Sequence, residues 1–386
     1  MTAATPRASI LGVGSTFFGK HPDRSLVDLA VEAGRRAMTD AGVDRSEVSH
    51  LFVGNFLGSI LLGQQLLGPI IANQLGLTNA EAIATEGACS SSAIGVHLGV
   101  ELVAAGVARK VLVVGVEKMT GLDADRVTGA LMSATDLAHE GDVGLTFAAF
   151  WALSMRRHMH EFGTRREQIS LATVKNRRHG VKNTYSQFRK AITLEEALDS
   201  RLISDPLRLY DCCPATDGAA AVLLGPASSV GDRAVDVLAS VQVTGRSRIT
   251  DYDSLTHFPA TEEAARRAYA AAGIEASDLD LVELHDCFSM AELVDSEDLG
   301  LIPKGQGGIA MDEAWTDFGG RVVVNPSGGL LSKGHPVGAT GCGQIFEVVR
   351  QLRGEHPNQV EGAQLGMTHN AGGTQALVNI HVLAAR

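Results

Sequence analysis

The chain has 386 residues, of which 45% are hydrophobic and 20% are charged, and its formal net charge is −11 at pH 7. This length and composition exclude a disordered or fibrous chain and allow more than one domain-sized core. Nucleic-acid binding is not expected, because the acidic chain has a single basic stretch without interleaved aromatic residues.

The five cysteines bear on the compartment and argue against a metal site. They form neither a Cys-x-x-Cys pair nor a Cys/His ligand spacing, so no metal is expected. An odd number of cysteines without a secretory signal favours a reducing compartment, and residues 1–7 contain no apolar targeting segment. The chain also ends without a peroxisomal Ser-Lys-Leu, so the cytoplasm is the default expectation.

Two segments far apart in the chain match each other in register, residues 33–43 and 264–274. Each has an amphipathic helical pattern that ends at a glycine, Gly42 or Gly273, and a strand-like run follows. This internal repeat predicts two similar α/β halves. We therefore expect one domain over residues 1–230 and a second over 231–386.

The stretch 56–80 contains no charged residue and is long enough to suggest a membrane span. Gln64, Asn73 and Pro69 interrupt it, and removing such amides from water is costly. The stretch therefore predicts a buried helix and loop at a pocket or a subunit contact, with no membrane insertion.

The residues around Cys89 predict a nucleophile at the start of a helix. A strand-like segment leads into Cys89, and apolar residues with helical spacing follow at Ile94, Leu98 and Leu102. The unpaired N–H groups and the dipole of a helix N-terminus favour the thiolate, the nucleophilic form of cysteine. Taken alone, Cys89 could equally be a small buried hydrophobic residue.

A long insertion separates the predicted strands 110–115 and 218–224, and roughly a hundred residues are too many for a connection without structure of its own. Within it, residues 156–190 contain ten Lys or Arg and two Glu. A cationic segment in an acidic protein indicates an anionic ligand, and the phosphates of coenzyme A would suit it. A solvated helical face would explain the same charges. Cys212 and Cys213, at the end of the insertion, are interpreted as structural.

His285 and Cys287 follow the apolar run 279–284, which has the alternation of a strand with one covered face. Residues two apart on a strand point to the same side, so both side chains can reach one pocket.

His335 lies in the segment with the most unusual composition. Six glycines surround it between residues 328 and 343, and Pro336 follows directly. Glycine allows rare backbone angles and close approach, whereas proline fixes its own φ and restricts the preceding residue. The pattern predicts a stiff loop that presents an imidazole for proton transfer.

Three of these segments, in this order, resemble motifs of thiolases. Residues 86–92 resemble the turn of the nucleophile, and residues 334–336 resemble the Gly-His-Pro block. Residues 285–288, His-Asp-Cys-Phe, are similar to the block of sterol-carrier-protein-type, or lipid-transfer, thiolases, whereas ordinary thiolases have Asn-Glu-Ala-Phe. One departure is that residues 368–373 contain no cysteine where ordinary thiolases have a catalytic Cys-x-Gly.

The resemblance implies the thiolase fold, in which duplicated α/β halves form a five-layered αβαβα sandwich with an inserted loop domain, here at about 120–215. It implies acyl-CoA and coenzyme A as substrates and no permanently bound cofactor. It also implies a homodimer or tetramer, and some relatives act with a small partner protein.

The resemblance assigns catalytic roles to four side chains. Cys89 becomes acylated, and His335 removes its proton. Cys287 replaces the missing cysteine as the group that exchanges a proton with the α-carbon. The enolate oxygen then lies against His335 and His285.

Three further residues are expected to bind the substrate. Backbone N–H groups of Cys89 and of the Ala371–Gly372 turn would hold the tetrahedral oxyanion. His369 is a candidate pocket residue. The expected activity is therefore that of an acyl-CoA C-acyltransferase, which cleaves a 3-ketoacyl-CoA with coenzyme A or condenses two acyl-CoAs.

Three alternatives stay open at this point. A ketoacyl synthase shares the fold, but the Gly-His-Pro and His-Asp-Cys-Phe blocks argue against it. An aldolase acting on a β-hydroxyacyl-CoA with a partner protein would not be expected to keep the complete set of motifs. A lipid carrier is not expected, because the chain ends at Arg386 without an appended sterol-carrier domain.

Overall fold

The computed structural model describes residues 5–77, 79–227, 231 and 233–386. The strands are β1 (Ala8–Ser15), β2 (His50–Gly54), β3 (Glu81–Thr85), β4 (Val111–Glu117), β5 (Leu202–Ser204), β6 (Leu207–Arg208), β7 (Gly218–Gly225), β8 (Val235–Thr244), β9 (Leu281–Glu283), β10 (Val323–Val324), β11 (Leu365–Gly372) and β12 (Leu377–Ala384). The α-helices are α1 (Leu26–Ala41), α2 (Gly58–Leu62), α3 (Leu67–Leu75), α4 (Ser91–Ala104), α5 (Ala124–Leu131), α6 (Phe147–Phe162), α7 (Arg166–Gly180), α8 (Leu194–Asp199), α9 (Pro259–Ala272), α10 (Ser289–Asp298), α11 (Gly307–Asp312), α12 (Gly329–Lys333) and α13 (Thr340–Leu352).

The large sheet is built from two half-sheets with the same strand order. From the centre outward, the first runs β1-β7-β4-β2-β3 and the second runs β8-β12-β11-β9-β10. A short antiparallel pairing joins them, in which Ala8, Ser9 and Ile10 face Val237, Asp236 and Val235. The two halves are therefore topological copies. Val230, at the predicted boundary between them, lies outside the described residues.

The internal repeat in the sequence corresponds to a repeat in the structure. Helix α1 ends at Gly42 with a φ of 62°, and α9 ends at Gly273 with a φ of 69°. A short 3₁₀ turn follows in both copies, Arg45–Glu47 and Ala276–Asp278, before β2 and β9. Glycine is suited to both helix ends because its missing Cβ removes the steric penalty of a positive φ. The predicted duplication is confirmed.

Helices cover and separate the half-sheets in five layers. Helices α1 and α3 pack on the outer face of the first half-sheet, and α9 packs on the outer face of the second. Helices α4 and α13 contact each other in the middle layer, where α4 packs on β2 and β4 while α13 packs on β7 and β11. This is the predicted αβαβα sandwich.

The predicted insertion between β4 and β7 has structure of its own. It contains α5 to α8 and the hairpin of β5 and β6. Helices α6 and α7 pack against α10, and α7 also contacts α12. The insertion of the first half therefore lies against the helices of the second half, next to the loop that carries His335.

The uncharged stretch forms α2, α3 and their connection. Leu57 and Ile71 are fully buried, but Ile60 and Leu66 are 46% and 69% exposed. The predicted helix is present. The stretch is only partly buried, because some of its apolar residues face the core and others face the surface. None of the helices in the described ranges is sufficiently long and apolar to cross a bilayer.

Candidate active site

Cys89, His285 and His335 form one cluster, although they are far apart in sequence. One atom of each, the thiol sulfur or a ring nitrogen, lies within 4.8 Å of those of the other two. The rings of His285 and His335 meet edge to face, with centroids 5.0 Å apart. Cys89 belongs to the first half and both histidines to the second, so the cluster lies where the halves meet.

A strained turn presents Cys89 at the start of α4. Ala88 has a φ of 51°, which is unfavourable for a residue with a side chain. The carboxylate of Glu86 accepts a hydrogen bond from the Ala88 N–H at 2.8 Å, and Ser91 Oγ accepts one from the Gly87 N–H at 3.1 Å. Such strain persists where surrounding contacts fix it, and it is common at functional sites.

Burial disfavours ionisation of the Cys89 thiol. Although solvent reaches part of the residue, burial of the thiol raises its pKa to about 12, an effect that a hydrogen bond from the Gly373 backbone only partly offsets. Burial thus opposes the effect of the helix N-terminus, which favours the thiolate. A neighbouring base must take the proton for the sulfur to become a nucleophile.

The loop of His335 is held by contacts that only glycine permits. Gly334 has a φ of 108°, and a Cβ there would lie 2.7 Å from Thr216 Oγ1. The His335 N–H donates to the same Thr216 Oγ1 at 3.0 Å. The predicted stiff loop is thus fixed against the end of the insertion.

Thr340 determines which ring nitrogen of His335 carries the proton. Thr340 Oγ1 lies 2.7 Å from His335 Nδ1 and donates its own hydrogen to the Pro336 carbonyl at 3.2 Å. With its hydrogen on the Pro336 carbonyl, the hydroxyl accepts from an Nδ1–H, and this arrangement leaves the lone pair on Nε2. Burial lowers the pKa of His335 to about 3, so the ring is neutral and its Nε2 can accept a proton.

His285 belongs to the cluster, and Cys287 lies close enough to Cys89 for the two to interact electrostatically. Strand β9 ends at Glu283, so the strand alternation that was expected to align these two residues does not extend to them. Burial raises the pKa of Cys287 well above its ordinary value, and the nearby Cys213 and Cys89 raise it further. Burial lowers the pKa of His285, and His335 and His369 add to the effect. Both groups are therefore neutral at pH 7, the first as a thiol and the second as an imidazole.

Asp286, between these two residues, anchors the neighbouring helix. Its carboxyl accepts hydrogen bonds from the Leu330 N–H at 2.7 Å and from Asn176 Nδ2 at 2.7 Å. Leu330 lies in α12, which directly precedes Gly334 and His335. The motif of residues 285–288 thus supplies His285 to the cluster, places Cys287 near Cys89 and fixes the helix that leads to His335.

Cys213 is an additional cysteine beside the cluster. Its N–H donates to the Cys287 carbonyl at 3.0 Å, and Cys212 and Phe288 form an antiparallel bridge next to it. Burial raises the pKa of Cys213 well above its ordinary value, with contributions from Cys212 and Cys89. The sequence interpretation of Cys213 as structural missed this proximity, since only the returning insertion brings it there.

The side chains of β11 alternate between the cluster and the outer layer. Met367 and Ala371 belong to the core packed under α9, and His369 Nε2 lies 3.4 Å from Thr261 Oγ1 of that helix. The intervening Asn370 instead bonds His285. His369 is therefore fully buried beside α9, and Asn370 on the opposite face of the strand is the residue that bonds His285. The pocket role of His369 stays a prediction.

Gly372 lies against the nucleophile turn, because a Cβ there would be 2.4 Å from the Gly87 carbonyl oxygen. Gly373, with a φ of 64°, supplies the backbone hydrogen bond to Cys89. The oxyanion-binding role of Ala371 and Gly372 stays a prediction. The structure adds Gly373 as a neighbouring donor.

Most cations of the basic segment are neutralised. Six of the ten form ion pairs with carboxylates: Arg156, Arg157, Arg165, Arg166, Lys175 and Arg178. Among the described residues, no acidic partner is found for Lys182, Arg189 or Lys190, and all three are exposed. Arg177 also has no acidic partner among the described residues, but it is buried, with its guanidinium 3.8 Å from the centroid of the Phe188 ring. The exposed unpaired charge therefore lies at the end of the segment.

Comparisons with known proteins agree with this architecture. The family model "Thiolase, N-terminal domain" matches residues 7–228, and "Thiolase C-terminal domain-like" matches residues 242–385. An acetyl-CoA acetyltransferase of Methanothermobacter thermautotrophicus is 42% identical, over 97% of this chain and 99% of the relative. Sterol carrier protein 2 of Oryctolagus cuniculus is 37% identical, over 98% of this chain and 72% of its own length.

Among solved structures, an Ltp2-ChsH2(DUF35) aldolase superposes with a TM-score of 0.84 at 26% identity, over 98% of both chains. The duplicated five-layered fold, the cluster between its halves and the two family matches lead to one conclusion. The chain belongs to the thiolase family.

Proposed function

We propose that this protein is an acyl-CoA C-acyltransferase that works through an acyl-Cys89 intermediate, with coenzyme A as a substrate and no permanently bound cofactor. The observation that carries the proposal is the pairing of a protonated Cys89 thiol with a neutral His335, whose Nε2 is left free by Thr340. A nucleophile beside an oriented base is the arrangement that acyl transfer requires.

In the cleavage direction, the first half-reaction forms the acyl-enzyme. Cys89 passes its proton to His335 Nε2, and the sulfur attacks the 3-keto carbon of a 3-ketoacyl-CoA. The tetrahedral intermediate collapses with breakage of the bond between C2 and C3, and the acyl group stays on Cys89. The leaving enolate takes a proton from Cys287 and departs as acetyl-CoA, and the shortened acyl chain stays on Cys89 until coenzyme A removes it.

The second half-reaction restores each proton. Incoming coenzyme A gives its thiol proton to the Cys287 thiolate, and its sulfur attacks acyl-Cys89. The leaving Cys89 thiolate recovers the proton from His335. The raised pKa of Cys287 suits this direction, because the resting residue is a thiol ready to protonate the enolate. Condensation of two acyl-CoAs is the reverse sequence.

The exposed cations at the end of the basic segment suit the phosphates of coenzyme A. Gln187 and Phe188 donate backbone hydrogen bonds to the carbonyls of Lys333 and Ser332, both at 3.0 Å. Arg189 and Lys190 follow directly, so their charges lie beside the loop that carries His335. We propose that these two residues contact the anionic end of the substrate.

Thiolysis tests the proposal. Purified protein is mixed with coenzyme A and 3-ketoacyl-CoAs of increasing chain length, and the loss of the ketoacyl enolate absorbance is followed. We expect cleavage by the wild type and by the control Cys212→Ala, but none by Cys89→Ala. Equal cleavage by Cys89→Ala would refute an acyl-Cys89 mechanism.

Cys287→Ala separates acylation of Cys89 from the making and breaking of the carbon–carbon bond. We expect this variant still to accept an acetyl group from acetyl-CoA on Cys89, at a reduced rate, because coenzyme A can leave as a thiolate without a proton from Cys287. It should lose formation and cleavage of the carbon–carbon bond. Retained condensation would reject Cys287 as the acid–base group.

A second candidate is a partner-dependent aldolase that acts on a β-hydroxyacyl-CoA. The likeness to the Ltp2-ChsH2(DUF35) aldolase favours it, and that structure also motivates a search for a small partner protein. Aldol cleavage leaves no acyl group on the enzyme. Cleavage of a β-hydroxyacyl-CoA that survives Cys89→Ala would therefore identify this activity.

A further inference from the structure

Gln344 begins a chain of amide hydrogen bonds that ends on His285. Its Nε2 donates to the carbonyl of His369 at 2.9 Å and to that of Glu283 at 3.3 Å. Carbonyl oxygens only accept hydrogen bonds, so the NH₂ group of Gln344 must face them. The amide cannot be turned over without placing its oxygen against both carbonyls. Oε1 of Gln344 therefore faces the other way, towards Asn370.

The orientation of the Gln344 amide fixes that of the Asn370 amide. Its Nδ2 lies 3.0 Å from Gln344 Oε1 and 3.2 Å from His285 Nδ1. The two hydrogens of one NH₂ group account for both contacts. Turning the Asn370 amide over would bring two amide oxygens together at the Gln344 contact. The acceptors thus fix Asn370 as a double donor.

The consequence for His285 is that Nδ1 must carry the lone pair, and the proton of the neutral ring is on Nε2. His335 has the opposite arrangement, because Thr340 holds its proton on Nδ1. Two neighbouring imidazoles, with centroids 5.0 Å apart, are therefore held in different tautomers. His335 offers a basic nitrogen to the cluster, and His285 offers an N–H donor.

We propose that Asn370 and Gln344 are positioning residues that hold His285 in the Nε2–H tautomer, so that His285 donates a hydrogen bond to the enolate oxygen while His335 serves as the base. This proposal rests on the proposed function for the identity of the oxygen. The tautomer itself follows from the amide network alone. A preorganised donor aimed at developing negative charge is a major source of transition-state stabilisation.

Asn370→Asp tests the proposal with almost no change in shape. The ionised aspartyl group has only acceptor oxygens, so the ring of His285 should switch to the Nδ1–H tautomer. ¹⁵N NMR of protein labelled at histidine nitrogens reads the tautomer directly, with His285→Gln to assign the signals. We expect Nε2–H in the wild type and Nδ1–H in Asn370→Asp.

Kinetics of the two half-reactions provide the second readout. Exchange of the α-hydrogens of acetyl-CoA with D₂O should fall in Asn370→Asp on the order of 10²–10³-fold, the usual effect of losing one such donor. Acetylation of Cys89 should stay close to the wild-type rate. Asn370→Ala imposes no tautomer, so its loss of exchange should be smaller than that of Asn370→Asp.

A merely structural role would reverse that order, because Asn370→Ala removes more packing than Asn370→Asp. The proposal is overturned by an Nδ1–H signal for wild-type His285, by an unchanged tautomer in Asn370→Asp, or by equal losses in both half-reactions. If wild-type Cys89 is not acetylated, the proposed function fails instead, and the NMR signals still decide the tautomer.

Discussion

Single residues in this site act through the partners that orient them. Thr340 leaves His335 with a free lone pair on Nε2, whereas Asn370 leaves His285 with a proton there. Burial keeps both rings neutral, and it also keeps Cys89 and Cys287 protonated. Burial therefore favours the uncharged form of all four groups in the resting site.

Thr340→Val tests the orientation of His335. The valine has nearly the same shape but cannot accept the Nδ1–H, so the base loses its fixed tautomer. We expect acetylation of Cys89 to slow on the order of 10²-fold, the lower end of what a general base contributes. Thr340→Ser should restore a rate near that of the wild type. A slow Thr340→Ser together with a fast Thr340→Val would contradict this role.

The sequence pointed to Cys89, His285, Cys287 and His335 because each lies in a distinctive local motif. It did not identify Asn370 or Cys213, since their proximity to the cluster depends on how β11 and the returning insertion pack. The sequence indicated His369 as a candidate pocket residue and did not indicate Asn370, which strand alternation places on the opposite face. Knowing the bounds of β11 would have added Asn370 as a candidate.

At the scale of elements, the loop of His335 is held from two sides. Asp286 accepts a hydrogen bond from α12 before the loop, and Thr216 bonds the His335 backbone from the end of the insertion. Gly334 between them has no space for a Cβ. The stiffness predicted from glycine and proline thus arises from tertiary contacts as much as from the loop sequence.

Gly334→Ala should displace His335. Its Cβ would meet Thr216 Oγ1 at 2.7 Å at a φ of 108°, so the loop must move. We expect acetylation of Cys89 to be largely lost while the protein stays folded. The matched control is Gly354→Ala, where φ is +70° but no atom lies within 4 Å. It should cost about 1–2 kcal/mol of unfolding free energy and leave activity intact. Equal activities of the two variants would contradict the account.

Long, periodic elements were predictable and strained ones were not. The helices α1 and α9, with their terminal glycines, follow directly from local pattern. The positive φ of Ala88 does not follow from local pattern. It depends on two hydrogen bonds, one from the Ala88 N–H to the Glu86 carboxylate and one from the Gly87 N–H to Ser91 Oγ. Such positions are set by the rest of the fold and are expected where function requires a defined geometry.

At the scale of the whole molecule, duplication creates the site. Each half contributes one half-sheet, and the middle layer of α4 and α13 brings Cys89 from one half to the histidines of the other. The buried interior also holds histidines outside the site. Burial lowers the pKa of His381 on β12 to about 3, and His97 adds to the shift.

His381→Gln tests this burial through pH. Between about pH 3 and 6.5 the unfolded chain binds a proton at His381 and the folded chain does not, so this residue makes stability rise with pH. The wild type minus variant difference in unfolding free energy should increase by about 1.4 kcal/mol per pH unit up to 6.5, then stay flat. Urea titrations of both proteins, repeated at each pH from 5 to 8, provide the unfolding free energies. A difference independent of pH would show that His381 is not held neutral.

The most direct test of the account is the mass of the intact protein after a brief incubation with acetyl-CoA, followed by peptide mapping. The account predicts a single acetyl group on Cys89 in the wild type, in Cys287→Ala and in Asn370→Asp, and none in Cys89→Ala. An unmodified wild-type protein, or an acetyl group on another cysteine, would contradict it.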